Sequence, residues 1–455
     1  MKRALLGALV AVLIAYLFIS WRLGFAIEKQ IKEPLEQLES RVPSLEVVAN
    51  TYRRGWFVSE QDLTIDLFHN LPVPVAAGAP FSAPVQISFH SVIWHGPICG
   101  LTCIGLARGR TQVSFSPALQ GYLTSAFGAA EPLRIESRMD FGGGGSATLS
   151  SPAIKATALS NGARIAWGGV DLKSEFARDY NSYSLHATVP KASYASADGN
   201  QFEADDFDLV TRAKRVLRSL FESESTLAIN RISISAAKAG GVVLSNQQAS
   251  YQSTANDGYM NMIYKTSVGA IAAASLNFRD VHFNFSLKHL EMESLEQLTA
   301  AMQKVHQDIS LPPAQRGGKL LAALKEPGIV LLSHSPQLTL DRLSLTTGGG
   351  EASVSGAVTL NGVTEADFGA GADPKAIIQK LNADLEMSID DAFLNGLPDG
   401  AKAMAQLQSF ADQGLATHAN GKFRSKIAFH EGMTTFDGKS LPTPPAPPAA
   451  PTPHR

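Results

Sequence analysis

An uncharged stretch near the N-terminus constrains this chain more than any other feature of the sequence. Ala4 to Trp21 is a run of eighteen residues without a charged side chain, and it follows Lys2 and Arg3. As a helix that rises about 1.5 Å per residue, the run is roughly 27 Å long, close to the roughly 30 Å hydrocarbon core of a bilayer. The run therefore predicts a transmembrane anchor at residues 4–21, with everything after it on one side of a membrane.

The flanking charges predict which side that is. Positive charge close to a membrane segment tends to stay in the cytoplasm, so Lys2 and Arg3 predict a cytoplasmic tail at residues 1–3 and an exported domain. The alternative is a secretory signal cleaved near Ala26, because Gly24 and Ala26 are small residues at the positions that a signal peptidase requires. The apolar run is longer than the usual 7–15 residues of a signal core, which favours an uncleaved anchor. Both interpretations export the domain.

Composition excludes one class of function. Hydrophobic residues make up 45% of the chain and charged residues 18%, which is enough apolar surface for a sizeable core. The formal net charge is −2, so the chain lacks the basic footprint of a nucleic-acid-binding protein. We expect no nucleic-acid partner.

Cys99 and Cys103 are the two cysteines of the sequence. In an exported domain they favour a disulfide, although in one extended strand their Cα atoms would be about 13 Å apart, so the bond requires a turn at residues 100–102. His90 and His95 are close enough in sequence to suggest zinc, but the spacing matches no familiar structural-zinc pattern. We therefore expect a disulfide and no metal site.

The segment after the anchor has helical periodicity. Ile27, Ile31, Leu35 and Leu38 recur at steps of three or four, which is the spacing of one helix face. Pro34 falls inside the pattern, where it kinks or restarts a helix. Residues 22–43 are therefore predicted to be a juxtamembrane helical stalk.

From residue 44 to residue 290 the hydrophobic period changes to two, which predicts a β-rich domain. The predicted strands are short and separated by turn residues, which is typical of an antiparallel meander. Strands are predicted on either side of the connection Thr51–Ser59, and later at Ser182–Val189, Phe202–Val210, Thr226–Ser235 and Gly241–Leu244. An apolar sheet face must be covered or hold a ligand, and we expect most of this one to be covered.

Residues 291–439 are predicted to be an α+β continuation of the same domain. A capping box precedes an amphipathic helix at Leu295, and a second short helix is predicted at Gly318–Leu324, before Pro327 and a strand at Gly328–Ser333. Residues 440–455 are proline-rich and are predicted to be a disordered tail. The predicted fold is α+β and mainly β, with an N-terminal transmembrane helix, a long antiparallel β meander and a few packed helices.

Two short motifs suggest a family. Tyr52-Arg53-Arg54-Gly55-Trp56-Phe57-Val58-Ser59 reads Y-x-R-G-x-F-x-S, and His95-Gly96-Pro97 follows a later strand. Behind a lone N-terminal anchor, this pair resembles the YdgA/YihF-like family of Gram-negative inner-membrane proteins of unknown function. The motif residues are Tyr52, Arg54, Gly55, Phe57, Ser59, His95, Gly96 and Pro97. The resemblance implies an inner-membrane location with the bulk of the chain in the periplasm, and it implies no catalytic residues and no cofactor. The cysteine pair and the proline-rich end depart from the family pattern.

The motif side chains leave several alternatives open. His95 could be a base or a metal ligand, or a turn residue whose ring satisfies backbone groups. Arg53 and Arg54 could bind a lipid phosphate. In the simpler interpretation Arg54 braces a turn, while Trp56 and Phe57 fill the core.

No other constellation in the sequence is typical of an enzyme. Asp205, Asp206 and Asp208 lack the loop and closing Glu of a cation site, and the glycine runs lack the Lys-Ser/Thr of a phosphate-binding loop. We expect a non-enzymatic structural or protein-interaction module of the cell envelope. The alternative is a lipid-binding or lipid-transfer β-groove, by fold-level analogy with the AsmA-like group. The expected partners are the membrane and either an envelope protein or a phospholipid.

Overall fold

The computed structural model describes most of the chain. The described residues are 16–29, 31, 45–67, 85–100, 103–159, 162–237, 240–274, 276–307, 313–368 and 374–440. Several predicted features lie outside these ranges. They are the tail at residues 1–3, residues 4–15 of the apolar run, residues 32–43 of the stalk, residues 101 and 102 of the cysteine turn, and the proline-rich tail from residue 441.

Seven α-helices occur in the described part of the chain. They are α1 (residues 16–29), α2 (Pro117–Phe127), α3 (Met292–Gln307), α4 (Pro313–Ser333), α5 (Pro374–Lys380), α6 (Asp391–Asn395) and α7 (Gly400–Asp412). Two of them begin at start signals in the sequence: Pro117 follows Ser116 at the first turn of α2, and Asp399 precedes α7.

Apart from two short 3-10 helices at Arg178–Tyr180 and Glu365–Phe368, the remaining regular structure consists of β-strands, so the prediction of a mainly β chain is confirmed. The strands are β1 (Leu45–Arg54), β2 (Val58–Leu67), β3 (Val85–His95), β4 (Ile98–Cys99), β5 (Cys103–Ile104), β6 (Ala107–Phe115), β7 (Arg134–Met139), β8 (Gly145–Ser151), β9 (Ile154–Ala158), β10 (Arg164–Trp167), β11 (Val170–Phe176), β12 (Ser182–Ala195), β13 (Gln201–Arg215), β14 (Phe221–Ala236), β15 (Gly240–Asn256), β16 (Tyr259–Ala273), β17 (Leu276–Glu291), β18 (Gln337–Thr347), β19 (Gly350–Leu360), β20 (Leu381–Asp390), β21 (Thr417–Ala419), β22 (Lys422–His430), β23 (Met433–Phe436) and β24 (Lys439–Ser440).

The chain divides into two compact units. Unit 1 contains Met1–Asn277 and Glu291–Gly328. Its strands form an antiparallel meander in the order β1, β2, β3, β6, β7, β8, β11, β12, β13, β14, β15, β16, while β10 pairs with the second half of β12 and with β9. One core cluster of this unit joins Ile27 of α1 to Ile93, Leu106 and Ala107.

Unit 2 contains Phe278–Leu290 and Ile329–Arg455. Its strands are also antiparallel, in the order β17, β18, β19, β20, β22, and β22 pairs further with β21 and β23. Its core holds Phe393 and Leu394 of α6 and Phe423 of β22, against which α7 packs through Met404 and Leu407.

The central strands of unit 1 are longer than the sequence pattern predicted. Strands β12 to β16 have fourteen to seventeen residues each, which is roughly 50 Å at about 3.3 Å per residue. Asp206 and Asn246 have positive φ in the middle of β13 and β15. The alternation of apolar side chains changes phase at these two residues. The predicted strand Gly241–Leu244 therefore stopped just before Asn246. Pairing on both sides continues the strands past these points.

The expectation that most of this sheet is covered is wrong for strands β12 to β16. Four of their residues are buried, namely Ala187, Ala213, Ser253 and Met260, and all the others are half-buried or exposed. A strand with one fully covered face would bury every second side chain. Here the paired backbone, rather than a deep core, holds the strands together.

A second correction concerns residues 313–333. The sequence predicted a short helix at Gly318–Leu324 and a strand at Gly328–Ser333, but the structure has one helix, α4, with Pro327 inside it. Proline removes one backbone hydrogen bond and usually ends or kinks a helix, which is why the pattern suggested a break. The apolar run that follows suits a helix as well as a strand, because a short apolar run has no diagnostic period.

Within the described part of the chain, no helix is both long enough and apolar enough to cross a membrane. Residues 16–21 of the predicted anchor lie in α1.

Candidate functional site

The first sequence motif forms a tight hairpin between β1 and β2. The connection is residues 55–57, not the predicted stretch Thr51–Ser59, because β1 continues to Arg54 and β2 begins at Val58. The Gly55 N–H donates to the Val58 carbonyl at 2.9 Å, and a Cβ at Gly55 would lie 2.3 Å from that carbonyl oxygen. Glycine is therefore required at the first position of the turn.

The two motifs meet on one face of the sheet. Ser59 pairs with Arg54 on β1 and with Ile93 on β3. Side chains two residues apart on a strand share a face, so Tyr52 and Arg54, Ser59, and His95 all lie on the same side of the three strands.

Ser59 and His95 form a buried polar pair at the centre of this face. The Ser59 hydroxyl and the His95 Nε2 share a hydrogen bond of 2.8 Å, and both residues are almost completely buried. Burial lowers the pKa of His95, more than the nearby carbonyl groups of Trp56 and Ser20 raise it. The neutral imidazole is the favoured form.

Helix α1 covers the pair. Its buried positions are Ser20, Gly24 and Ile27, and half-buried Ile31 continues the same stripe. A Cβ at Gly24 would lie 2.8 Å from Cε1 and 3.2 Å from Nδ1 of His95, so the helix backbone rests directly on the imidazole ring. The Ser20 hydroxyl donates to the Trp56 carbonyl at 3.1 Å. Small residues on α1 therefore allow the close approach.

Arg54 joins the sheet to the outer side of α1. Its guanidinium donates to the Glu28 carboxylate at 2.9 Å and lies 3.5 Å from the centroid of the Phe25 ring. The side chains of Arg54 and Glu28 are 29% and 24% exposed, so water screens this ion pair only in part. Arg54 is committed to the helix, which leaves little support for it as a lipid-phosphate ligand.

The remaining motif residues shape the adjacent turns. The His95 N–H donates to the Phe57 carbonyl at 2.7 Å, and the Gly96 N–H donates to the Leu106 carbonyl at 2.8 Å. The Gly96–Pro97 peptide bond is cis. The first bond connects the β1–β2 turn to the end of β3, and the second connects the residue after β3 to the residue before β6.

The cysteine hairpin follows directly. Cys99 of β4 is paired with Cys103 of β5, their Cα atoms are 5.2 Å apart, and the two residues form a disulfide. Gly100, which begins the turn between them, has a φ of +60°, and a Cβ at this position would lie 3.4 Å from the Trp94 ring.

The interpretation that Trp56 and Phe57 fill the core is wrong. Trp56 is 60% exposed and Phe57 is 41% exposed. Their backbone carbonyls are the buried parts, because Ser20 and His95 donate to them. The two rings point outward from the hairpin, while the backbone carbonyls of the same residues are hydrogen-bonded.

The geometry of the site suits helix docking rather than catalysis. A serine next to a histidine is a pair that nucleophilic enzymes use, but there the second ring nitrogen faces an orienting carboxylate. Here the Cε1–Nδ1 edge of His95 faces Gly24, and α1 seals the pair from solvent. Burial also raises the pKa of Tyr52 on the same face. A substrate has no route to the Ser59 hydroxyl while α1 is docked.

The other predicted site residues are dispersed among separate partners. His90 lies on the opposite face of β3 from His95 and bonds Asp62 at 2.7 Å, which lowers the pKa of Asp62. Arg53 also bonds Asp62. Over the residues that the structure describes, no group of three or more His, Cys, Asp or Glu side chains is arranged to hold a metal.

The acidic trio of β13 is likewise divided. Asp205 is near Lys191, Asp208 is near His186, and Asp206 accepts from Asn230.

A large polar groove lies elsewhere in unit 1. Its volume is about 1050 Å³, and it is formed by the ends of strands β7, β8 and β11 to β15. Its charged lining residues are Arg138, Asp140, Glu175, Arg212, Lys214, Glu222 and Glu224. Opposite charges face each other across β13 and β14, because Arg212 pairs with Glu224 and Lys214 with Glu222. These paired charges offer ion-pair and hydrogen-bond partners to a polar group.

An exposed apolar row crosses the far end of the long strands. Tyr194, Phe202, Ile234 and Val242 are direct neighbours on β12, β13, β14 and β15, and each is 37–54% exposed. The next row on the same face is also apolar, because Ile232 pairs with Leu244.

Sequence reasoning assigned Ile27 and Ile31 to one helix face but missed Ser20 and Gly24, which complete the site. A signal for them was present, since Ser20, Gly24, Ile27 and Ile31 are spaced by four, three and four residues. That spacing defines one helix face, and its two small residues allow close approach.

Comparison with known protein families gives a match over nearly the whole chain. A family model described as bacterial protein of unknown function (DUF945) matches residues 1–444. The chain belongs to this family. The DUF945 match covers α1, both motifs and both structural units, so the docking of α1 lies inside the region that defines the family. Searches of curated proteins and of solved structures found no match to the chain.

Proposed function

We propose that this DUF945 chain is a single-pass inner-membrane protein whose periplasmic β-rich domain is a non-enzymatic structural or protein-interaction module of the cell envelope. Within DUF945 it is one of the YdgA/YihF-like proteins. The two motifs support this finer assignment, because they occur in the family order behind an apolar N-terminal run.

The docking of α1 on His95 carries the proposal. The apolar run ends at Trp21, and Ser20 and Gly24 lie at and just beyond its end. Both residues pack against the motif face of the sheet. A helix so fixed ties the domain to the end of the apolar run. Signal cleavage near Ala26 would remove both contacts, which favours an uncleaved anchor.

The non-enzymatic part of the proposal is supported by the same geometry. The polar side chains of the motifs are used to hold a helix, and Ser59 and His95 are sealed under it. The polar groove with its paired charges is a surface that a protein partner can contact.

A topology experiment tests the proposal. Alkaline phosphatase fused to the C-terminus of the full chain should be active, and the chain should remain in the membrane after carbonate washing. An inactive fusion contradicts a periplasmic domain. A mature chain that begins near Ile27 contradicts the uncleaved anchor.

Lipid handling is a second candidate, and the exposed apolar row favours it. A row of four large apolar side chains on neighbouring strands is costly to leave in water at about 25 cal/mol per Å², and an acyl chain would cover it. A photoactivatable phospholipid tests this candidate. Labelled peptides should then contain Tyr194, Phe202, Ile234 or Val242, whereas labelling confined to the N-terminal segment contradicts a lipid site on the strands.

A further inference from the structure

Exposed apolar side chains gather around the start of α1. Three segments of unit 1 contribute them. They are Phe18 and Ile19 of α1, Trp56 and Phe57 of the β1–β2 turn, and Ile98 and Ile104 of the cysteine hairpin, with exposures from 41% to 71%.

These segments are neighbours in space. The Tyr16 ring of α1 stacks on the Phe57 ring with centroids 5.8 Å apart, and the Tyr16 hydroxyl donates to the Ile98 carbonyl at 3.2 Å. The Trp21 and Trp56 rings are 6.3 Å apart. The start of α1, the β1–β2 turn and the cysteine hairpin therefore form one apolar surface, which we call the apolar collar.

The collar is held by a well-bonded backbone. Ser20 donates to the Trp56 carbonyl, the His95 N–H donates to the Phe57 carbonyl, and the disulfide closes the hairpin that carries Ile98 and Ile104. The carbonyls of Trp56 and Phe57 are hydrogen-bonded, while their side chains are left outside. Exposed aromatic rings on a rigid turn are typical of a surface that meets an apolar partner.

The position of the collar identifies that partner. The uncharged run from Ala4 continues in sequence into Tyr16, the first described residue of α1, and Tyr16 lies at the collar. Tyr and Trp concentrate at the level of the lipid headgroups, and Lys and Arg lie just beyond it. The order along α1 matches, because Tyr16 and Trp21 come first and exposed Arg22 and Lys29 come later.

Resting on the proposed membrane anchor, we infer that Trp56, Phe57, Ile98 and Ile104 enter the headgroup interface of the bilayer that anchors the chain, at the level of Tyr16 and Trp21. The domain then stands on the membrane through three adjacent segments and not through one flexible tether. Its orientation to the bilayer is fixed by the collar and by α1 docked on His95.

Lipid-dependent quenching of tryptophan tests this inference in the full chain. The protein is placed in phosphatidylethanolamine–phosphatidylglycerol vesicles that contain phosphatidylcholine brominated near the headgroup. Trp56→Phe should lower the lipid-quenched part of the emission about two-fold, because Trp21 and Trp56 are the two tryptophans at the interface. Trp167→Phe, on β10, is the matched control and should leave the quenched part unchanged.

A second variant keeps the test independent of one side chain. Ile104→Trp in the Trp56→Phe background should restore the quenched emission, because it places an indole on the other tip of the collar. Each of these positions is exposed, so the variants should keep the trypsin resistance of the parent chain.

The outcomes separate the collar from the anchor. If Trp21→Phe removes quenched emission but Trp56→Phe does not, and Ile104→Trp adds none, the collar is overturned and the anchor stands. If brominated lipid quenches no emission at all, the anchor and the collar are both overturned.

Discussion

The Ser59 hydroxyl and the His95 Nε2 meet at 2.8 Å between neighbouring strands, and Gly24 of the N-terminal helix lies against the other edge of the same imidazole ring. This contact joins both sequence motifs to the segment that follows the apolar run. The motifs therefore encode the attachment of a helix to a sheet, and the following predictions test that attachment.

Gly24→Ala should loosen α1. The added Cβ would lie 2.8 Å from His95 Cε1, and overpacking of this kind costs about 1–3 kcal/mol. Trypsin cleavage at Arg22 and Lys29 should become faster. Gly121→Ala in α2 is the matched control, because nothing lies within 4 Å of its new Cβ, and it should stabilise that helix by roughly 0.5–1 kcal/mol. Equal effects of the two variants would contradict the contact.

Ser59→Ala should destabilise unit 1 by about 1–3 kcal/mol, because it leaves the buried Nε2 of His95 without its partner. The measurement is the urea midpoint of the full chain. Ser114→Ala removes an exposed hydroxyl on β6 and should change the free energy of unfolding by less than about 0.5 kcal/mol. A midpoint for Ser59→Ala as high as that of Ser114→Ala would argue against the buried pair.

Mild acid should weaken the docking of α1. The unfolded chain protonates its histidines near pH 6.5, whereas burial lowers the pKa of His95 in the folded chain. The stabilisation from neutral His95 is therefore fully present above about pH 6.5 and is lost as the pH falls toward the folded pKa. Urea unfolding of the parent chain should show this decline and His95→Gln should lack it. His90→Gln, on the opposite face of β3, should retain the decline.

The Arg54–Glu28 pair should show a measurable coupling energy. A double-mutant cycle of Arg54→Gln and Glu28→Gln should give about 0.5–1 kcal/mol, because both side chains are largely shielded from water. The Arg53–Glu60 pair is more exposed, at 60% and 48%, and its cycle should give a value near zero. The same coupling energy in both cycles would contradict the shielding of the Arg54–Glu28 pair from water.

The disulfide should contribute modestly. Because the closed loop is small, Cys99→Ser with Cys103→Ser should lower stability by about 2 kcal/mol or less without abolishing folding. Maleimide should label the denatured parent chain only after a reductant is added. Labelling without reductant would show that the thiols are free.

Features that depend on neighbouring residues were predictable from the sequence. Alternation with a period of two predicted a mainly β antiparallel chain, and the turn between Cys99 and Cys103 needed only a short local loop. The spacing of Ile27 and Ile31 likewise indicated one helix face. In each case the covalent geometry of a short segment limits which side chains can meet.

The long-range contacts depended on the tertiary structure. His95 reaches Ser59 because of the register between β2 and β3, and Gly24 reaches His95 because α1 has one particular rotation and position on the sheet. Polar stretches of β13 to β15 became long strands because partners on both sides satisfy their backbone groups. The hairpin backbone, tied down through Ser20 and His95, also turned Trp56 and Phe57 outward. Local patterns were enough to predict the strand and helix periods and to pick out the motif residues. Which of these residues touch could not be predicted in this way, because strand register and helix placement depend on packing between residues far apart in the chain.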